Sequence, residues 1–406
     1  MEIVENVVLL VFYIFQFWVL SYFLIVIIFV LIDFLEIKTA PDIFYAEKQE
    51  RNYTFAAIVP LHQNIDFLQP ILDSLLKQKY TQVEFFVVAD DCPEVELPYN
   101  DRRIHLIYPK TALHSKIKSL QLALENIPET KFDAIAIFDA DNLVHPEFFT
   151  VMNAYYNNGY KSVQSNILPK NMDTTFARLD TLNDQYYNFI DRLAPSRVKL
   201  CAHIAGRGTV VDIAMYKSVS YTNMFGGFDK KLQCELAKKG IIGYAEDAIV
   251  YDEKVSSGAN MQVQRTRWIN AYFRYFTEAL GIFGQGIRQF NFRLAFFGYN
   301  NMRPPLFIQI LLMMVLFGID FFFFKDAFGI WAVTLILYLL GFLYIMIVKN
   351  KVLGVSTSIT TILQIPLFFF RQVRALFNIR KANKKFMQTS NDKVIYIGDV
   401  MKNKEE

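Results

Sequence analysis

Four stretches of the chain carry almost no charge, and they sit toward its two ends. The first, Val7–Ile32, runs 26 residues without Asp, Glu, Lys or Arg. A helix of that length reaches ~39 Å, enough to cross a ~30 Å hydrocarbon core with some tilt. Glu2 and Glu5 precede it in place of basic residues, and no small-residue cleavage site follows, which argues for a membrane span over a signal peptide. The other three are Pro305–Phe324, which contains Asp320, Ala327–Val348, and Val352–Phe370, which is rich in Ser and Thr and interrupted by Pro366.

Between them the pattern changes to short apolar runs alternating with amphipathic segments. Phe55–Pro60, Glu84–Ala89 and Ala134–Phe138 read as buried strands. Ile65–Lys77 and Lys116–Asn126 have helical spacing of their leucines and isoleucines. Strand, helix, strand, helix, strand predicts an α/β domain with a mostly parallel sheet, whose ligands bind beyond the carboxyl ends of the strands. Asp90 and Asp139 each stand one residue past an apolar run, at that end.

Composition locates the chain at a membrane: 53% of residues are hydrophobic and 20% charged. The net charge of +3, with no long basic run interleaved with aromatics, argues against nucleic acid as a partner. Cys92, Cys201 and Cys234 are too few and scattered for a disulfide framework and suit a reducing compartment. The five histidines, His62, His105, His114, His145 and His203, show no zinc spacing, and His203 reads as an ordinary loop residue. Lys38, Lys48 and Arg51 follow the first span, which places the large domain in the cytosol and the acidic N-terminus outside. A full fourth crossing would put Arg371, Arg374, Arg380, Lys381, Lys384 and Lys385 outside. Three full spans are therefore favoured over four. The expected division is a transmembrane helix (1–38), a cytosolic domain (39–275), an interfacial region (276–303), two transmembrane helices (304–350), a re-entrant or interfacial segment (351–380), with Leu367–Ile379 lying along the surface, and a cytosolic tail (381–406). This makes the chain a multi-pass protein of the inner (plasma) membrane.

Asp139–Ala140–Asp141 puts two acids on one side of an extended segment. A hard cation, Mg²⁺ or Mn²⁺, bridges such carboxylates to substrate phosphates. A solvated turn is the plainer alternative. On a helix, Gln264, Arg267 and Trp268 of Gln264–Arg265–Thr266–Arg267–Trp268 share one face. Arg offers a planar fork for phosphate and Trp a broad face for a sugar ring. The same segment also suits an amphipathic helix at a membrane surface.

Taken together, these motifs resemble those of the membrane-bound family 2 glycosyltransferases, the group of cellulose, chitin and hyaluronan synthases. The matches run over residues 54 to about 275: Val59–Pro60–Leu61–His62, Val87–Val88–Ala89–Asp90, Lys116 before a Leu-rich helix, Asp139–Ala140–Asp141, Gln164–Asn171, Ile204–Thr209 and Gln264–Trp268. The resemblance implies a GT-A-type nucleotide-sugar-binding domain and a UDP-sugar donor. Asp90 would take the uracil, Asp139 the ribose, Asp141 with Asp139 the metal, and Lys116 and Arg267 the diphosphate. Gly206, Gly208, Gln264 and Trp268 would face the acceptor. The general base has two candidates, Asp229 and Glu246–Asp247. The family's acidic pair opens a helix that ends in Gly and is followed by a strand. Asp229 to Gly240 and then Ile241–Tyr244 fit that order, so Asp229 is assigned the role. Phe228 stands where the family usually has Glu, and Asn64 where the opening loop often has Glu.

The implied reaction is an inverting single displacement. Its product would extend a polysaccharide or a lipid-linked saccharide, or result from one transfer to a polyprenyl phosphate or glycolipid. A degenerate subunit of a synthase complex is the non-enzymatic alternative. Three or four spans are few to enclose a polymer channel, which favours single transfer, a homo-oligomer or a secretion partner.

Overall fold

The computed structural model describes residues 2–45, 47–221, 227–350, 352–353, 355–366, 369 and 393–402. Its strands are β1 (Phe55–His62), β2 (Val83–Asp90), β3 (Ile104–Ile107), β4 (Ala134–Ile137), β5 (Leu143–Val144), β6 (Ser162–Pro169), β7 (Thr209–Asp212) and β8 (Gly243–Asp252). They form one mixed sheet in the order β3-β2-β1-β4-β7-β6-β8-β5. The first four are parallel, as expected, and so are β6 and β8. β7 and β5 run against their neighbours.

The α-helices among the described residues are α1 (Glu2–Phe34), α2 (Leu68–Leu76), α3 (Lys116–Asn126), α4 (Phe148–Asn157), α5 (Thr175–Asn188), α6 (Ala194–Arg197), α7 (Ile213–Lys217), α8 (Phe228–Lys239), α9 (Gly258–Arg288), α10 (Phe292–Asn301), α11 (Leu306–Phe323), α12 (Lys325–Leu343), α13 (Val355–Ile362) and α14 (Ile397–Lys402). Successive strand residues point to opposite faces. Ala56 and Ile58 of β1 join a core with α3 and α8, while Phe55, Ala57 and Val59 join one with α2 and α4. Both faces are covered, which is why β1 is an unbroken apolar run.

Three described helices are long and apolar enough to cross a membrane: Val4–Phe34, Leu306–Phe323 and Ala327–Lys349. Val19, Phe23, Val26 and Phe29 of α1 pack with Trp331 and Tyr338 of α12 and with Ile345 just beyond it. Asp320, the acid noted within an apolar stretch, is buried there and accepts from Gln16 Nε2 at 2.8 Å. The base of the bundle is fixed by Asp33, which pairs with Arg197, with Lys349 at 2.8 Å and with the Tyr344 hydroxyl at 2.7 Å. The expected surface helix Leu367–Ile379 lies outside the described residues except for Phe369.

A second clamp joins the domain to the helices before α11. Asp191 pairs with Arg303, and Asn300 Nδ2 donates to it at 3.3 Å. Burial alone would raise the Asp191 pKa; the Arg303 guanidinium, foremost among the charges around it, outweighs burial and holds it at about 2. His203 is pushed down to about 3 by burial, so it stays neutral and structural, as a loop histidine. Asp191→Asn leaves Arg303 buried and unpaired and should cost about 3–5 kcal/mol near neutral pH. A depressed carboxyl stabilises fully above its unfolded value of ~3.9 and stops doing so as pH falls through ~2. The deficit, read from denaturant unfolding, should therefore shrink across that window. Equal stability of parent and variant at neutral pH would rule the clamp out.

Candidate active site

The carboxyl ends of β1, β2 and β4 carry the predicted acids. Asp90 closes β2 opposite His62 at the end of β1. Its carboxylate accepts from the backbone N–H groups of Leu113 at 2.6 Å and His114 at 2.9 Å, just ahead of α3. Asp139 and Asp141 lie on the turn between β4 and β5. Lys116, the first residue of α3, pairs with Asp139 and donates to the Gly206 carbonyl at 2.9 Å.

That carbonyl belongs to the loop entering β7. Gly208 N–H donates to the Ile137 carbonyl at 2.7 Å, which ties the loop to the end of β4. Gln164 holds it from below: its Oε1 accepts from Ala205 N–H at 2.9 Å and its Nε2 donates to the Arg207 carbonyl at 2.9 Å. Gly206 has φ of +77°, a conformation that favours glycine. A Cβ there would sit 3.2 Å from Asp229 Cβ and 3.2 Å from the Phe228 ring. Asp229 thus packs against the same glycine whose carbonyl Lys116 reaches, at the first turn of α8, where backbone N–H groups are free of helical partners. Phe228 is buried, and its ring lies under the Lys116 ammonium at 4.8 Å. Where the family usually has an acid, an aromatic face steadies the lysine instead. Gly206→Ala should displace Asp229 and lower turnover by about 100-fold, with a loss of about 1 kcal/mol or more in stability from the left-handed backbone. Unchanged turnover would show that the loop does not set the position of Asp229.

The rival pair does not reach this place. Asp247 is exposed in the middle of β8, and it is Asp252, at the carboxyl end of that strand, that approaches the acid turn.

α9 supplies the remaining candidates. Gln264, Arg267 and Trp268 share a face with Ala271 and Tyr275, and those two pack where a Cβ on Gly227 would project, at the start of α8. Arg267 is half-buried; burial lowers its pKa while the Asp139 charge opposes that. Gln264 Oε1 is buried without a hydrogen-bond partner among the described residues. Trp268 is 37% exposed, and the Arg265 guanidinium lies 4.2 Å over its ring. Arg265 itself turns away to pair with Asp180 of α5.

Beneath the acid turn lies a charge network that the sequence did not reveal. Arg207 Nη2 reaches Asp252 at 2.7 Å, and Lys254 Nζ reaches Asp184 at 2.6 Å and Asp252 at 3.0 Å. Burial raises the Asp184 pKa, but Lys254 and Arg207 hold it down at about 2. Lys170 Nζ donates to the Asp141 carbonyl at 3.0 Å and lies 3.2 Å from Glu253. Lys170 and Arg207 fall inside the matched segments Gln164–Asn171 and Ile204–Thr209 without a role attached to them, and Asp184, Asp252 and Lys254 carried no signal of their own.

Asp141 is the outlier. Burial, then Asp252 and Asp139, push its pKa up to about 7. A carboxyl crowded by other carboxylates is stabilised by a cation, and an all-oxygen donor set suits Mg²⁺ or Mn²⁺. The residues at this turn therefore fit the metal expected there. A second group, His62, Asp90 and His114, has ligand atoms within 4.8 Å of one another, which spacing along the sequence had not suggested.

A family model described as glycosyltransferase-like family 2 matches residues 52–271. No curated protein matches the chain at a significant level. Among solved structures, the chain is similar to the mannosyltransferase PcManGT of Pyrobaculum calidifontis, determined with GDP-Man and Mn²⁺ (13% identity, TM-score 0.43, 74% of this chain and 92% of that one). It is also similar to S. aureus TarS residues 1–349 with UDP-GlcNAc (12%, TM-score 0.38, 56% and 66%) and to S. aureus TarS in a longer form (14%, TM-score 0.35, 56% and 39%).

Proposed function

The chain belongs to the glycosyltransferase-like family 2, and from that premise we propose that it moves a sugar from a UDP-sugar to a saccharide or lipid-linked acceptor with inversion, forming a β-glycosidic bond. One observation carries the reading: Lys116 ties Asp139 to the Gly206 carbonyl, and Asp229 packs against that same glycine, its Cβ 3.2 Å from where a Cβ on Gly206 would sit.

In the proposed reaction Asp90 orients the base end of the donor and Asp139 the ribose. Mg²⁺ or Mn²⁺ held by Asp141 and Asp139 would neutralise charge on the diphosphate. Lys116 and Arg267 supply fixed positive charge on the same group. The acceptor hydroxyl oxygen attacks the anomeric carbon from the face opposite the diphosphate. The carbon–oxygen bond to phosphate breaks, UDP leaves with the electron pair, and the proton passes to Asp229. Gly206, Gly208, Gln264 and Trp268 border the acceptor, with Gln264 Oε1 an unused buried acceptor for a sugar hydroxyl.

The acceptor reading rests on the membrane. In the turn between α9 and α10, Phe290 is 98% and Phe292 73% exposed, flanked by Arg288 and Arg293. That composition suits a surface lying at a bilayer interface, on the cytosolic side of a plasma membrane crossed by three helices. Three spans favour a single transfer to a polyprenyl phosphate or glycolipid over a chain-enclosing polysaccharide synthase. A panel of nucleotide sugars with Mn²⁺, assayed for nucleotide release and product anomer, tests the function. Release with no donor, or an α-linked product from an α-linked donor, would defeat it.

A further inference from the structure

Residues 393–402, which include α14, lie against the sheet edge formed by β5, the strand that follows the acid turn. Ile397 and Val400 are buried in one apolar cluster with Leu143 of β5 and Tyr251 of β8, and Met401 packs against it. At spacings of three and four, these side chains share one helix face. Leu143 stands two residues past Asp141. Polar contacts tie the same segment down. The Lys393 backbone N–H donates to the Glu253 carboxylate at 3.2 Å, Lys393 Nζ lies 2.9 Å from Asp173, and the Tyr396 hydroxyl donates to Gln69 Oε1 of α2 at 3.5 Å. Glu253 is the junction. It stands just past β8, buried, with Lys170 Nζ 3.2 Å away. The Lys170 ammonium, also buried, donates to the Asp141 carbonyl at 3.0 Å and lies 5.2 Å from the Phe67 ring. The path from the segment to the acid turn is therefore Lys393 N–H, Glu253, Lys170, Asp141 carbonyl. A buried ammonium held by a carboxylate and a carbonyl is costly to move, because moving it strands a charge.

We propose that residues 393–402 act as a clasp that positions the acid turn, with Glu253 and Lys170 as the positioning residues that carry its effect to Asp141. The clasp grips the stretch Asp141–Leu143 twice, at the Asp141 carbonyl through Lys170 and at the Leu143 side chain through Ile397 and Val400. β5 is only two residues long, so the turn has little sheet of its own to hold it. Contacts behind a metal ligand fix its orientation and with it the affinity of the site. That consequence for a cation rests on the glycosyltransferase reading; the ordering of the turn does not. Elements anchored by few buried side chains open at lower free energy than the sheet they lie on. The clasp can therefore release while the domain stays folded, and release frees the turn. By linkage, a cation bound at the turn favours the docked clasp to the same degree.

The test uses the full chain in detergent, first without metal or donor. Ile397→Asp combined with Val400→Asp puts two charges into the apolar contact and should release the segment, read as faster tryptic cleavage after Lys393. Hydrogen exchange at the amides of residues 139–144 should then rise by about tenfold or more, with β1 unchanged. Lys170→Met cuts the path in its middle: exchange at 139–144 should rise while the segment stays as protected as in the parent. Lys402→Ala, at an exposed position, should change neither. Mn²⁺ affinity, read from the paramagnetic resonance of the free ion, should fall by about tenfold in the double variant and in Lys170→Met. The proposal is overturned if the segment is cleaved as fast in the parent as in the double variant, if its release leaves exchange at 139–144 unchanged, or if β1 exchanges faster in step with the turn. The exchange readout needs neither metal nor sugar, so failure of the clasp and failure of the glycosyltransferase reading are distinguishable.

Discussion

Asp229→Asn should lower sugar transfer by about 10³-fold or more while UDP-sugar binding stays close to that of the parent. Asn matches Asp in size, so the contact across Gly206 and the packing of the Phe228 ring against Lys116 survive. What disappears is the carboxylate in the first turn of α8, beside the Gly206 loop that Lys116 reaches. Without it the acceptor hydroxyl must attack while still protonated. Asp247→Asn is the matched control: the side chain is exposed in mid-strand and its removal should leave transfer near the parental rate. Single-turnover release of UDP, together with donor titration by fluorescence, separates the chemical step from binding. If Asp247→Asn proved the inactive variant and Asp229→Asn turned over normally, the assignment of the base would be reversed.

The two acids illustrate what could be read in the chain. Glu246–Asp247 has the look of the family's acidic pair, and local identity favours it. The order of elements favours Asp229, because a helix ending in Gly and then a strand must follow the base, and α8 and β8 supply them. α3 and the first parallel strands were legible for a similar reason: strong apolar periodicity bounded by charge. β5 and β7, of two and four residues, are too short to leave a period. α9 runs unbroken across residue 275, where the sequence had suggested a boundary, so the residues on either side share one helix. The ion network was hidden for a different reason. Arg207 meets Asp252, and Lys254 meets Asp184, across 45 and 70 residues. His62 and His114 meet across 52. Such pairs are made by strand order, which brings distant ends to one edge, and no spacing rule anticipates them.

Asp141→Asn should produce two opposite effects: transfer lower by about 10²–10³-fold with loss of the Mn²⁺ response, and a fold that is more stable than the parent without metal. The first follows if Asp141 and Asp139 hold the cation. The second follows from the company Asp141 keeps. Its carboxyl is half-buried beside Asp252, Asp139 and Glu253, which together with burial raise its pKa to about 7. An acid whose folded pKa is raised loses stabilisation as pH climbs from its unfolded value of ~3.9 through ~7, because the unfolded chain gives up its proton first. A neutral amide has no such loss. The melting-temperature advantage of the variant should therefore widen between about pH 4 and about pH 7, and Mn²⁺ should close the gap by stabilising only the parent. A turn that served merely as a solvated corner would behave otherwise: both proteins would melt together at every pH, and Mn²⁺ would move neither.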